Sequence, residues 1–323
     1  LNMNKKLLLP LLLLMIVISA CGNQAVNDNK AASTSSEGQA TNSATNSDTA
    51  SEASTGTKTY QSESGPVEVP ANPKRIVALT NAPNVLSLDG TLVGVDEWTN
   101  KNPLFKDKLS GVKVVSPEDL EKIIELDPDL IITGSDSKNI DKLKEIAPTV
   151  AYTWGKLDYL NQQLEIGKLL NKEKETQAWI DDFKLRTAEV GKEIKAKFGD
   201  NVTVSVLEGD AKSFYVLGNN WARGTEVLYQ AMGLNMPEKV KADALGPGYY
   251  TLSPEVVGDY VGDFLVLSRS SQGDNSFMKT ATWNNIPAVK NKHVIEIDSE
   301  SSSYSDPTTL EYLLGVFKKG FLG

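Results

Sequence analysis

The chain has 323 residues, 40% of them hydrophobic and 23% charged, which suits a globular protein of two ordinary lobes. Its 33 Lys and Arg against 42 Asp and Glu leave a formal charge of -9, which argues against nucleic acid as a partner, because phosphate neutralisation dominates that binding. One Cys and one His exclude an intrachain disulfide, a cysteine metal cluster and a multi-histidine metal site, and leave Ser-His or Cys-His catalysis to His293 alone.

Lys5 and Lys6 precede an apolar run from Leu7 to Ile18. The run is too short for a bilayer-spanning helix of about 20 residues, and it suits the apolar core of a secretory signal. It ends Ile18-Ser19-Ala20-Cys21, with small residues before the sole cysteine. This resembles the bacterial lipobox, which implies cleavage after residue 20 and acylation of Cys21 with palmitate-type chains. Two chains anchor stably where one is marginal. The expected location is the outer face of the cytoplasmic membrane, and Met3 is the expected start. An ordinary signal peptide with an incidental cysteine is the alternative. Loss of residues 1–20 removes Lys5 and Lys6 and no acid, so -9 becomes -11. Residues 21–58 are mostly Ser, Thr, Asn, Gln, Ala and Gly, with Val26 the one bulky apolar residue. Such a segment cannot offset its ordering entropy by burial, and is expected to be a flexible leash.

From 59 to 155 the pattern is that of an α/β lobe. Val67-Glu68-Val69, Ile76-Val77-Ala78-Leu79 and Leu92-Val93-Gly94-Val95 are expected strands. Ser116-Pro117-Glu118 is expected to open a helix, with Ser as N-cap and Leu120, Ile123 and Ile124 as its buried stripe. Leu130-Ile131-Ile132 reads as a buried strand, 137–146 as a helix and Val150-Ala151-Tyr152 as a strand. Residues 156–200 are expected to be a helical connector. Within it Trp179, Phe183, Val190, Ile194 and Phe198 share a face, and a helix from Lys174 to Phe198 would run roughly 37 Å.

A second α/β lobe is expected over 201–323. Its strands are Thr203–Leu207, Phe214–Leu217, Phe264–Leu267 and His293–Ile297. Its helices are Thr225–Met232, one opened by Ser253-Pro254-Glu255, and Pro307–Phe317. The two lobes echo each other: Ser-Pro-Glu leads to Asp129-Leu130-Ile131-Ile132 in the first and to Asp263-Phe264-Leu265-Val266 in the second. The fold class is therefore α/β, two lobes with mainly parallel sheets joined by one long helix, with a ligand cleft between them.

GxSxG, GxGxxG, P-loop and HExxH patterns are absent, and His293 sits in an alternating strand where a structural role is expected. Tyr215-Val216-Leu217-Gly218-Asn219-Asn220-Trp221-Ala222-Arg223-Gly224 is the densest unusual segment. It presents Trp and Arg at a strand-to-helix junction, where ligands of open α/β sheets bind. Spacing alone leaves two readings open: a ligand turn, or a turn whose Trp plugs the lobe and whose Arg is solvated.

Residues 218–234 (GNNWARGTEVLYQAMGL) resemble the signature of ferric-hydroxamate siderophore-binding lipoproteins of Gram-positive bacteria. So do PANPKRIVAL at 70–79, PDLIIT at 128–133, APTV at 147–150 and YSDPTTLEYL at 304–313. The wider family is the substrate-binding proteins of siderophore and cobalamin ABC importers, and it implies two α/β lobes joined by a long helix. By position, the resemblance implies that Trp221 and Arg223 contact the hydroxamate oxygens, that Tyr215 and Tyr304 are aromatic walls, and that Trp154 lines the pocket from the first lobe. Trp98 is a further candidate from location. Glu121 and Glu255 match the paired surface glutamates that meet permease arginines; the other reading is that they favour a helix N-terminus. Gly134 and Ser301 to Ser303 depart from the pattern, standing where relatives often have aromatic residues, so pocket width and the preferred siderophore stay open.

A ferric trihydroxamate is close to neutral and its iron is saturated by its own oxygens. Such a ligand asks for an aromatic cleft with a few aimed donors and for no protein metal ligand or cofactor. A catecholate complex, with about three negative charges, would be better met by clustered Arg and Lys. The leading expectation is a lipid-anchored, monomeric, non-enzymatic receptor delivering ferric hydroxamates to an ABC permease with its cytoplasmic ATPase. A corrinoid or another chelate on the same fold, a secreted hydrolase and a surface adhesin are the competing readings.

Overall fold

Short apolar runs become buried parallel strands in the computed structural model, which describes residues 56–323. The expected signal segment, Cys21 and most of the leash lie outside the described residues. Thr57–Ser62 (β1) and Gly65–Pro70 (β2) form an antiparallel hairpin. The Tyr60 hydroxyl pins it to the lobe, donating to Glu165 at 2.8 Å and lying 3.0 Å from the Tyr152 hydroxyl.

The first lobe runs Ile76–Ala78 (β3), Ala82–Leu86 (α1), Leu92–Val95 (β4), Glu97–Lys101 (α2), Lys113–Val114 (β5), Leu120–Glu125 (α3), Leu130–Gly134 (β6), Ile140–Ile146 (α4) and Thr149–Tyr152 (β7). Its sheet is wholly parallel in the order β5-β4-β3-β6-β7. A parallel sheet needs cover on both faces. Ile76, Ala78, Leu130 and Ile132 meet α1 and the next helix on one face. Val77 and Ile131 meet Ile123 of α3 and Leu143 of α4 on the other.

Tyr159–Leu169 (α5) and Glu173–Phe198 (α6) follow. The 26 residues of α6 span roughly 39 Å. Its Ile180, Phe183, Val190 and Ile194 pack into the second lobe, while Ile166 and Leu169 of α5 pack into the first. The two helices touch closely at Gly167, where an added Cβ would run into Thr176. The long helix is thus welded to the second lobe and held to the first through α5.

The second lobe contains Val204–Gly209 (β8), Phe214–Leu217 (β9), Glu238–Ala244 (α7), Tyr249–Leu252 (β10), Phe264–Arg269 (β11), Ala281–Asn284 (α8), Pro287–Lys290 (α9), Val294–Asp298 (β12) and Pro307–Leu322 (α10). Its order, β10-β9-β8-β11-β12, repeats that of the first sheet strand for strand. β9 alone is reversed, running antiparallel to both β8 and β10. The echo noted in sequence has a physical basis. The Asp129 carboxylate accepts from the backbone N–H of Lys74 and Arg75 at the start of β3, and Asp263 accepts from Thr203 N–H at the start of β8. Each aspartate ties the two central strands of its sheet at their N-terminal ends.

Three expected helices differ. Ser116 does not cap α3; its N–H and hydroxyl bond Asp119, and the helix begins after that turn. The Ser253 segment makes only a 3-10 turn, Val257–Tyr260, because Gly258 weakens a helix and Val257 and Tyr260 meet the core at the three-residue spacing of a 3-10 helix. Glu226–Ala231 is π-helical, its wide turn closing with Met232 N–H on Val227 C=O at 2.8 Å. Gly191 of α6 lies so close to the Met232 carbonyl that an added Cβ would overlap it.

Candidate functional site

β8 and β11 are the two central strands from which chain order runs outward in opposite directions, and ligands of open α/β sheets gather at the carboxyl ends of such pairs. Glu208 near the end of β8 and Ser268 near the end of β11 stand side by side there. The segment after β9 loops back to meet them. Its residues Ala222, Arg223 and Gly224 have φ of 54°, 52° and 81°, three left-handed residues in succession. For Ala and Arg each costs of order 1–2 kcal/mol, so the surrounding bonds must hold the turn.

Those bonds are numerous. Trp221 N–H donates to the Thr225 hydroxyl at 2.9 Å, Ala222 N–H to the Glu226 carboxyl at 3.1 Å, and Arg223 N–H to Ser302 C=O at 2.8 Å. The Glu226 carboxyl is buried, and burial pushes its pKa up despite bonds from Ala222, Thr225 and Ser305. An ionisable group inside this turn thus serves as an anchor.

The turn presents two groups. The Arg223 guanidinium grips Glu208 with two parallel bonds, Nε–H to Oε2 at 2.8 Å and Nη2–H to Oε1 at 2.9 Å. The Ser268 hydroxyl adds a third bond to the carboxylate at 2.6 Å. The Trp221 indole packs close against Gly248 and beside Tyr249, with ring centroids 4.9 Å apart, and Tyr249 continues to Tyr215 at 5.8 Å. From the first lobe, Trp154 in the loop after β7 sets its ring edge-on to Trp221 at 5.7 Å. Trp154 is 82% exposed despite this contact.

Of the residues singled out in sequence, Trp154, Trp221 and Tyr215 join one aromatic chain, with Arg223 two residues from Trp221. Tyr304 lies apart from it: its ring packs against Phe105 and its hydroxyl is 3.0 Å from the Thr99 hydroxyl, a seam between the lobes. Asn102 Nδ2–H to Glu300 C=O at 2.8 Å belongs to the same seam. Trp98 is 80% exposed on α2. Ser301, Ser302 and Ser303 turn inward to bond Asp298 and Ser299, closing the loop whose carbonyl receives Arg223. At Gly134 an added Cβ would meet mainly the movable Asp136 side chain, so the position has room. Tyr249 and Glu208 escaped sequence reasoning. The signal for Glu208 was a charged residue ending an apolar strand; Tyr249 reaches the site through the antiparallel pairing of β10 with β9.

Two concavities lie elsewhere. One of about 450 Å³, lined by Phe198, Asp263 and His293 among others, is at the N-terminal ends of the second-lobe strands, the edge opposite Glu208. There His293 stacks on Phe264 at 4.3 Å, a packing role. The other, about 400 Å³, lies between α5, α6 and the π-helical turn. Neither contains the converging aromatic and charged groups described above.

The model for the family described as periplasmic binding protein matches residues 77–301. The iron(3+)-hydroxamate-binding protein FhuD of Bacillus subtilis is 32% identical over 308 residues, covering 93% of this chain and 92% of that protein. The structure of FhuD2 from Staphylococcus aureus with bound ferrioxamine B superposes with a TM-score of 0.72 at 35% identity, covering 77% of this chain and 98% of that one. A FhuD-fold protein of Bacillus subtilis, described as the periplasmic binding protein component of a Fep/Fec-like ferrichrome ABC transporter, gives 0.74 at 33% identity, covering 81% and 99%. The two lobes and the long helix between them therefore take the fold of these solved structures, and the chain belongs to the periplasmic binding protein family.

Proposed function

We propose that this protein captures ferric hydroxamate siderophores outside the cytoplasmic membrane and hands them to an ABC importer. The observation that carries this reading is the aromatic chain from Trp154 through Trp221 to Tyr249 and Tyr215, spanning both lobes, with Arg223 two residues from Trp221 and paired with Glu208, the register partner of Tyr215. Aromatic faces match the apolar shell of a wrapped chelate, and the Arg223 donors left unused by Glu208 among the described residues match hydroxamate oxygens. The names of the relatives above support the same ligand class. The iron arrives saturated by its own ligand, so the protein contributes no metal-binding residues and no cofactor; among the described residues no group of three His, Cys, Asp or Glu is placed to hold a metal ion. No bond is made or broken in this role. Cys21 provides the lipid anchor, and the receptor works as a monomer.

Titration with ferrioxamine B and ferrichrome, read by tryptophan fluorescence, tests the proposal: both should quench the signal saturably at micromolar concentration or below. No saturable response to any ferric hydroxamate, or tighter binding of a corrinoid, would overturn it.

Delivery requires a docking face. Glu121 lies exposed in the first turn of α3 beside the exposed Ile124, and Glu255 lies exposed beside Val256. Bonds from the Ser253 hydroxyl and from its own backbone N–H hold the Glu255 carboxyl below the usual glutamate range. One glutamate per lobe, each with an apolar neighbour, suits arginines on a permease, where such charges set orientation and encounter rate. The double substitution Glu121→Ala, Glu255→Ala should leave siderophore affinity and melting temperature unchanged and impair uptake by cells. Normal uptake at matched expression would reject the docking role.

A further inference from the structure

Arg223 is the one charged residue of the turn at 218–224, and the structure gives it a fixed counter-charge. Glu208 is not a loose surface partner. Both side chains of the pair are about three-quarters buried, at 24% and 26% exposure, and the carboxylate is held from a second direction by the buried hydroxyl of Ser268. Its Oε2 accepts from Arg223 and Ser268 together, and its Oε1 from Arg223. The pairing uses Nε and Nη2 of the guanidinium; among the described residues Nη1 has no hydrogen-bond partner. Arg223 therefore keeps directed N–H donors while its net charge is cancelled within one ion-pair length. A lone guanidinium attracts any anion over several ångströms; a tight pair acts as a dipole whose pull fades faster with distance.

The facing lobe does not restore positive charge. The loops leaving the C-terminal ends of β4, β6 and β7 carry Asp96, Asp136 and Asp158 against Lys138 and a Lys156 already paired with Glu63. Glu97 and Lys101 on α2 pair with each other. In the second lobe Arg269 at the end of β11 is paired with Glu296. The donors are there for hydroxamate oxygens, while the facing lobe adds no net positive charge to welcome an anionic cargo.

We infer that Glu208 is a specificity-determining residue that sets the charge preference of the site, admitting neutral and cationic ferric hydroxamates and disfavouring anionic ones built on the same iron core. This rests on the reading of the protein as a ferric-hydroxamate receptor. Specificity of this kind arises from an element that works against the wrong ligand as much as from contacts with the right one. The carboxylate of Glu208 is that element, and it also orients Arg223.

Three forms of one chelate separate charge from shape. Ferrioxamine B carries a free ammonium and is cationic, its N-acetyl derivative is neutral, and its N-succinyl derivative is anionic. Wild-type protein should bind the first two within a few-fold of each other and the third about tenfold more weakly, a difference of about 1.4 kcal/mol. Glu208→Gln keeps the shape and removes the charge; the anion-to-cation affinity ratio should rise about tenfold. Arg223→Gln should move the ratio the other way, and the double variant should return it toward wild type. A role in positioning Arg223 alone would weaken all three ligands together and leave the ratio still. If the ratio in Glu208→Gln stays within about twofold of wild type while all three ligands bind, the charge role is wrong and the receptor reading stands. If wild type binds none of the three, the receptor reading falls and this inference with it. Should Glu208→Gln fail to fold, Arg223→Gln decides: an unchanged ratio there also overturns the proposal.

Discussion

Replacing Arg223 with alanine should raise the dissociation constant for ferrioxamine B by about 10- to 100-fold, and replacing Trp221 with alanine should do nearly as much. The Arg223 figure follows from a charge-assisted hydrogen bond, worth about 1.5–3 kcal/mol when its partner is desolvated. The substitution has a second cost that binding does not report. It strips Glu208 of two of its three donors and leaves the Ser268 hydroxyl to hold a largely buried carboxylate. For a pair about a quarter exposed, between the surface and buried extremes, a stability loss of about 1–2 kcal/mol is expected. Trp221→Ala removes the ring that joins Tyr249 to Trp154 across the lobes, and its indole N–H with it. Burial of an aromatic face of this kind is worth about 2–3 kcal/mol. Calorimetric titration beside thermal melts separates the two effects. Folded variants that bind as tightly as wild type would place the ligand elsewhere, and the concavity beside α5 would become the next candidate.

How much of this was legible in the chain depended on how far apart the cooperating residues lie. The long helix was read almost to the residue, because 25 residues without a strong breaker kept one apolar face. The buried strands were read because both faces of a parallel sheet demand continuous apolar runs. β10 was not, since Tyr249 to Thr251 lie exposed on a sheet edge and carry no alternation. The π-helical turn was unreadable for another reason: its widening goes with the close approach of Gly191, some forty residues away, to Met232. Trp221 and Arg223 stood out because one short segment carried both. Glu208 and Tyr249 join them only through the antiparallel register of β8, β9 and β10, in which Glu208 faces Tyr215 and Tyr249 faces Leu217. A site assembled by register has no local signature, although the pairing that neutralises Arg223 is its most informative feature.

Gly224→Ala should be the most damaging single methyl in the site. The φ of Gly224 is 81°, outside what an L-residue adopts readily, and forcing Ala there costs about 1–2 kcal/mol. The added Cβ would also enter the ring of Phe317, a fully buried side chain of α10 in the main core of the second lobe. Overpacking of this sort costs about 1–3 kcal/mol where the neighbour cannot yield. Phe317 is fully buried in a core cluster, and its helix α10 packs on α6 and on β12, so moving the ring disturbs that core. The sum, about 2–5 kcal/mol, corresponds to a melting temperature lowered by roughly 4–9 °C in a chain of this size. Strain released by shifting the turn would carry Arg223 away from Glu208, so affinity should fall with stability. Gly315→Ala provides the control on the same helix. That glycine is exposed with open space around its would-be Cβ, and the substitution should be neutral or stabilising by up to about 1 kcal/mol. If Gly224→Ala melted within a degree or two of Gly315→Ala, the turn would have to tolerate a side chain at its third left-handed position, and the picture of a backbone fixed by glycine against Phe317 would be wrong.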